Sequence, residues 1–530
     1  MSEAATAALP VEHAYVPPAV NPWIIALTVT LATFMEVLDT SIANVSLPHI
    51  AGGLSAGVDE STWVLTSYLV SNAIVLPMSG WFSSLIGRKR FYMTCVAIFT
   101  VSSFLCGLAP NLGMLIFFRI LQGAGGGGLQ PSEQSILADT FPPAKRGMAF
   151  AVYGMAVVVA PALGPTLGGW ITDSYSWRWI FYINVPVGII SLILTSRLIS
   201  DPPHLSGEKK STGWSIDYIG LGLLALGLGT LQVVLDKGQR DDWFDSHLIT
   251  ALTVIAVVCL VAVVFWEWRQ AHPIIDLKLF RDRSFATANS LMFMLGFVLW
   301  GSTLLIPLFS QTMLGYPAEQ AGLVLMPGGL AIIAFLPLVG YLLARRDPRY
   351  LMMFGLLILS TSLVFMTRFD LLINFQTVAF ARLLQGAGLA FLFVPINTVA
   401  YSYLPPDKNN AASGLINLAR NVGASMGISF VTTMLDRRTQ FHEDRLSAHL
   451  NPANPQVRSM LHGTTSALGI RSGSAALRQA YFLLQGSVER QAMMLAYIDN
   501  FRILSIVALL LIPAVMIVKK PRRGRSVPMH

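Results

Sequence analysis

The chain has 530 residues, of which 54% are hydrophobic and 12% charged, and its mean hydropathy is +0.60. Soluble domains carry about 25% charged residues, so the composition excludes a soluble globular protein and points to a polytopic membrane protein. The net charge of +8 is then a question of which side of a bilayer holds the positive residues, not a sign of nucleic-acid binding.

Residues 1–22, with Pro10, Pro17, Pro18 and Pro22, read as a short cytoplasmic tail. The first basic residue is Arg88, so no basic leader of a cleavable signal precedes the first apolar run. Runs long enough to cross a hydrocarbon core lie near 23–47, 62–86, 90–109, 112–138, 147–171 and 179–199. Two more follow near 215–235 and 247–267, then six near 286–309, 318–343, 350–367, 376–401, 411–435 and 498–518. The expectation is an all-α fold of 14 transmembrane helices. Loops after the even-numbered runs hold fifteen Lys or Arg, and the alternate short loops hold four. Positive residues are retained on the cytoplasmic side, which places both termini there, including the basic tail 519–530.

Two phrases repeat. Arg119-x-x-Gln122-Gly123-x-Gly125 returns as Arg382-x-x-Gln385-Gly386-x-Gly388, an offset of 263 residues. The same offset carries Phe141-Pro142-Pro143 onto Leu404-Pro405-Pro406. An arginine in a membrane span costs roughly 2.5–3.5 kcal/mol on insertion scales, so two copies in one register indicate a duplication. The offset equates helix 4 with helix 12. Two six-helix bundles follow, 23–199 and 285–518, around a linker and two inserted helices at 200–284. Such duplication is the build of many secondary transporters. The longest hydrophilic stretch, 436–497, falls on the outer side within the second bundle, and 474–497 has the pattern of a separate amphipathic helix.

Several residues stand out within the spans. Glu36 and Asp39 are three apart and share a face of helix 1. Counted from the outer ends of their helices, Asp39 and Arg119 lie at one depth, about 10–12 Å down, so an ion pair is expected. A carboxylate balanced between burial and a neighbouring arginine can gain and lose a proton. Glu36, one turn deeper, is a second candidate for proton coupling or for a cationic substrate. Glu133 lies about 21 Å further along helix 4 than Arg119, where a gate or interfacial role fits. Arg382 and Arg420 have no acid within the C-terminal spans; backbone carbonyls, an anionic substrate or lipid remain open as partners. Pro161 and Pro165 break backbone hydrogen bonding in helix 5, and Gly164, Gly168 and Gly169 admit a close neighbour. Together they read as a hinge. The glycine run 123–128 imitates a dinucleotide loop, but lacks the strand–turn–helix context that such a site requires. Cys95, Cys106 and Cys259 show no disulfide or metal-ligand spacing. No metal or cofactor site is read.

These residues resemble a known family, the 14-helix drug:proton antiporters of the major facilitator superfamily, of the EmrB type. Leu38-Asp39-Thr40-Ser41-x-x-Asn44 is similar to the first-helix motif, with Ser41 where Thr is usual. Arg119-x-x-Gln122-Gly123 resembles the fourth-helix motif, and Gly164-Pro165-x-x-Gly168-Gly169 the fifth-helix antiporter motif. Trp177-Arg178-Trp179 through Asn184-Val185-Pro186 resembles the entry to helix 6. The resemblance implies proton-driven multidrug efflux by alternating access from the bacterial inner membrane, with no cofactor and no enzymatic step. A periplasmic membrane-fusion adaptor and an outer-membrane channel are the implied partners. It implies a cytoplasmic gate at Gly80, Gly87, Arg88 and Lys89, although the acid usual four residues after Gly80 is here Ser84. Export of a dedicated metabolite, such as a fatty acid or antibiotic, is the competing expectation.

Overall fold

The computed structural model describes residues 20–200, 217–270, 273–402, 404–405, 408–448, 450, 455–467 and 474–519. The expected tail before residue 20, the linker 201–216 and the basic stretch after 519 lie outside them. The described residues are all helical, apart from turns and loops.

The first bundle holds α1 (Pro22–Val45), α2 (Trp63–Ile86), α3 (Arg88–Leu108), α4 (Leu112–Thr140), α5 (Pro143–Ser174) and α6 (Trp179–Leu198). The inserted pair is α7 (Tyr218–Lys237) and α8 (His247–Arg269). The second bundle holds α9 (Arg283–Thr312), α10 (Met326–Leu343), α11 (Pro348–Met366), α12 (Phe375–Tyr401), α13 (Asn409–Ser447) and α14 (Ser474–Val515). By length and composition twelve of these can cross a membrane, and thirteen when the bent α5 is included. The remaining one, α13, carries Arg420 and Asn421 within its apolar stretch and buries Asn409, Asn410, Ser413 and Asn417 near its start.

The starts of these helices follow local chemistry. Asn21 caps α1 ahead of Pro22, accepting from the Trp23 amide at 3.0 Å. Asn111 caps α4 through the Met114 amide at 2.9 Å, and its duplicate Asn374 caps α12 through Thr377 at 3.0 Å. Asp282 caps α9 through the Ser284 and Phe285 amides.

Packing is duplicated as well. α1 lies on α5 as α9 lies on α13, and α2 and α3 flank α4 as α10 and α11 flank α12. α4 and α12 can be central because their glycines leave room. A Cβ on Gly125 would sit 2.7 Å from the Phe99 amide nitrogen, and one on Gly388 2.7 Å from that of Leu359. The bundles meet where α2 packs on α13 and α5 on α10. The inserted pair attaches through α7 to α2 and α13.

The outer segment differs from expectation. Residues 436–447 continue α13, and 474–497 are the first half of α14, a single helix of 42 residues rather than a separate amphipathic element. Between Ser474 and Pro513 the only breaker is Gly486, and the intervening Leu, Ala, Gln, Arg and Met favour a helix. Asp499 fastens the two long helices: its Oδ2 lies 2.9 Å from Arg438 Nε, an ion pair, and 2.9 Å from His442 Nε2. A short helix, Pro455–Ala467, packs on α14.

Candidate functional site

The predicted pairing of Asp39 with Arg119 is present. Arg119 Nη1 stands 2.6 Å from Asp39 Oδ2, with the arginine 0% and the aspartate 2% exposed. Asp39 Oδ1 accepts from Gln122 Nε2 at 3.0 Å and from Asn184 Nδ2 at 2.7 Å. Arg119 also donates through Nε to the Val64 carbonyl at 3.0 Å and through Nη1 to Gln122 Oε1 at 2.9 Å. The Tyr68 ring covers its guanidinium, 4.2 Å from carbon to centroid. α1, α2, α4 and α6 each contribute, so four helices converge on this ion pair. Gln122 and Asn184 belong to the motif phrases, yet nothing in the sequence marks them as ligands of Asp39.

Glu36 lies one turn along α1 and is 4% exposed. Asn72 Nδ2 donates to its Oε1 at 3.2 Å, and Gln130 Nε2 to its Oε2 at 2.9 Å. The half-buried Arg420 reaches the same place from the second bundle. Its Nη2 hydrogen-bonds Gln130 Oε1, and its Nη1 donates to Tyr153 Oη at 3.1 Å. The partners of Arg420 in this structure are thus side chains across the bundle interface.

Arg382 is buried too, and its Nη1 donates to Gln385 Oε1 at 2.6 Å. Gln385 Nε2 in turn donates to Ser302 Oγ at 2.5 Å. The duplication equates Arg119, Gln122 and Asp39 with Arg382, Gln385 and Ser302. The chain from arginine through glutamine recurs, ending on a hydroxyl where the first bundle has the acid.

Glu133 is 0% exposed and accepts from Thr30 Oγ1 on α1 at 2.6 Å. The Glu133 side chain thus turns into the first bundle, toward α1. In α5, segments Lys145–Pro161 and Thr166–Ser174 meet at 44°. Ser41 donates to the Pro161 carbonyl at 3.1 Å, and Gly164 lies directly against the Ser41 side chain. Gly168 packs on Ile42, whereas a Cβ on Gly169 would meet nothing within 4 Å. Close approach thus belongs to Gly164 and Gly168 and not to Gly169. Pro165 lies between the two α5 segments.

At the end of the molecule that bears the α2–α3 turn, Gly87 adopts φ 91°, a left-handed value open to glycine. Arg88 is buried; it donates to the Ser135 carbonyl at 3.0 Å and pairs with Asp139 at 2.5 Å. Asp139, on α4, is an acid partner that the sequence did not disclose. Ser84 is exposed and donates to the Trp81 carbonyl. Lys89 Nζ donates to the Ser196 carbonyl at 2.7 Å. A Cβ on Gly80 would stand 2.8 Å from the Ala411 backbone in the other bundle. Hydrogen bonds between the bundles occupy this half: Gln134 with Tyr401 and Asn417, Ser135 with Ser413, and Asp139 with Asn409.

The family model described as Major Facilitator Superfamily matches residues 29–428. Multidrug export protein EmrB of Haemophilus influenzae is 41% identical, covering 83% of this chain and 85% of that protein. Fatty acid resistance protein FarB of Neisseria gonorrhoeae is 39% identical over 94% of this chain and 96% of its own length. A solved structure of a double-tryptophan XylE mutant shares the fold at TM-score 0.61 and 15% identity, covering 95% of this chain and 97% of that one. With a duplicated helical fold, a buried acid–arginine pair at its centre and this degree of identity, the chain belongs to the major facilitator superfamily and, within it, to the EmrB-type membrane transporters.

Proposed function

We propose that this transporter exports amphipathic toxic compounds across the bacterial inner membrane in exchange for protons, with both termini in the cytoplasm. The carrying observation is the Asp39–Arg119 pair with Glu36 one turn away, three ionisable groups enclosed in the bundle core. Intramembrane ionisable groups of this kind mark ion and substrate pathways. Protonation of Asp39 or Glu36 weakens the contacts that hold each carboxylate. The α5 bend and the inter-bundle contacts around Gly80 and Arg88 supply a hinge and a cytoplasmic gate for alternating access. The proton gradient drives the cycle and no cofactor takes part. The names of the EmrB relatives support a multidrug range. A periplasmic adaptor and an outer-membrane channel complete the assembly, with the projecting parts of α13 and α14 as the adaptor's contact.

The test is efflux of a fluorescent amphipathic cation from proteoliposomes under an imposed pH gradient. Asp39→Asn is expected to reconstitute normally and to lose gradient-driven transport by at least about tenfold, the equivalent of about 1.4 kcal/mol. Wild-type efflux in that variant would sink the coupling role. A second reading, export of a fatty acid or another dedicated metabolite, is favoured by the FarB relative. Competition of the dye by long-chain fatty acids, but not by unrelated drugs, would select it.

A further inference from the structure

Glu36 is held by the Tyr68 hydroxyl, which donates to its Oε1 at 3.5 Å, and by two primary amides whose other ends reach the opposite bundle. Gln130 donates to Glu36 through Nε2, while its Oε1 accepts from Arg420 and, at 3.0 Å, from Tyr153 Oη. Asn72 donates to Glu36 through Nδ2, while its Oδ1 accepts from Asn421 Nδ2 at 3.5 Å. Arg420 and Asn421 are consecutive residues of α13. Two relays therefore run from one carboxylate to one point on the second bundle.

The chemistry of the relay has a direction. A carboxylate only accepts hydrogen bonds and a guanidinium only donates them. A charged Glu36 thus fixes Gln130 with its NH2 toward α1 and its oxygen toward Arg420. A proton on Glu36 Oε2 makes an O–H that faces the Gln130 amide, whereas Oε1 faces the Tyr68 hydroxyl, which can accept as well as donate. Turning Gln130 round to accept from the Oε2 O–H sets its NH2 against Arg420, donor against donor. A substrate cation resting on Glu36 displaces the amides by another route, with the same loss.

We propose that Gln130, seconded by Asn72, is the positioning residue that transmits the charge of Glu36 to Arg420 and Asn421, so that neutralising Glu36 releases α13 from the first bundle. This rests on the reading that Glu36 changes protonation during transport. The other titratable groups around Glu36 are Asp39 on its own helix, Tyr68 of α2, Glu133 of α4 and Tyr153 of α5. Asp39 is committed to Arg119, Glu133 to Thr30 and the Tyr153 hydroxyl to Gln130. Arg420 is joined to Glu36 through the Gln130 amide and Asn421 through that of Asn72.

The test uses the full chain in nanodiscs with nitroxide labels at Ser84→Cys and Arg346→Cys. Both positions are exposed, at the ends of α2 and α10, while the native cysteines are buried. Inter-label distance is measured between pH 5 and 9, beside drug-induced proton release from the same preparation. The wild type is expected to shift to longer distances at low pH, and Glu36→Gln to show the long distance at every pH. Gln130→Leu is expected to lose the pH response while still releasing protons on drug binding. Arg420→Gln is expected to behave likewise, and carries the test if the first variant fails to fold. A wild-type pH response in both Gln130→Leu and Arg420→Gln overturns the relay and leaves the coupling role standing. Absence of drug-induced proton release in the wild type overturns both.

Discussion

Ser302 sits where the duplication would place a second Asp39, and it leaves Arg382 buried beside neutral groups. Removing one member of a buried pair costs about 3–5 kcal/mol, so the second bundle tolerates a cation that the first does not leave bare. Ser302→Asp is expected to form a second ion pair with Arg382 through the existing Gln385 bridge. A charge-assisted hydrogen bond contributes about 1.5–3 kcal/mol, which should appear as a higher thermal midpoint in detergent. An unchanged or lower midpoint would show that Arg382 is already satisfied. The first pair was legible in the sequence because Asp39 and Arg119 are charged residues at equal depth in apolar runs. Gln122 and Asn184 lay within recognisable phrases but carry no charge, so their convergence on Asp39 was not. The Arg420–Gln130 contact was hidden for another reason: it joins residues 290 apart on helices that no repeat relates.

Among the elements, α5 combines a 44° bend with a backbone that touches α1 at Ser41. Its glycine at 164 leaves no room for a side chain on that face. Gly164→Val is expected to force α1 and α5 apart and to cut efflux more than tenfold, with membrane expression kept. Gly169→Val, which meets open space, is expected to transport within about twofold of wild type. Equal efflux by both variants would refute the assigned packing. Sequence pattern located α5 and its breakers because proline and glycine act locally. It separated 474–497 from the last span because polarity changes there while helix propensity does not. It could not tell Gly164 from Gly169 either, since their difference is a neighbour and not a composition.

At the scale of the whole molecule, sidedness is the property that loops can report. Leu372 in the α11–α12 loop is 92% exposed, and Arg346 at the end of α10 is exposed on the opposite face. With membrane-impermeant maleimide on intact spheroplasts, Leu372→Cys is expected to label and Arg346→Cys only after lysis. The reverse pattern would invert the orientation read from basic residues.

The continuity of α14 has a mechanical consequence. A helix of 42 residues is about 63 Å long at 1.5 Å per residue, about twice the ~30 Å hydrocarbon core. Roughly 30 Å of it therefore extends beyond the hydrocarbon core as a lever, stiffened by α13 and rooted in the second bundle. Each 10° of rocking in that bundle sweeps the far end by about 5 Å, by the same helix geometry. Whatever rests on that end receives the transport cycle as a displacement, without touching the cargo.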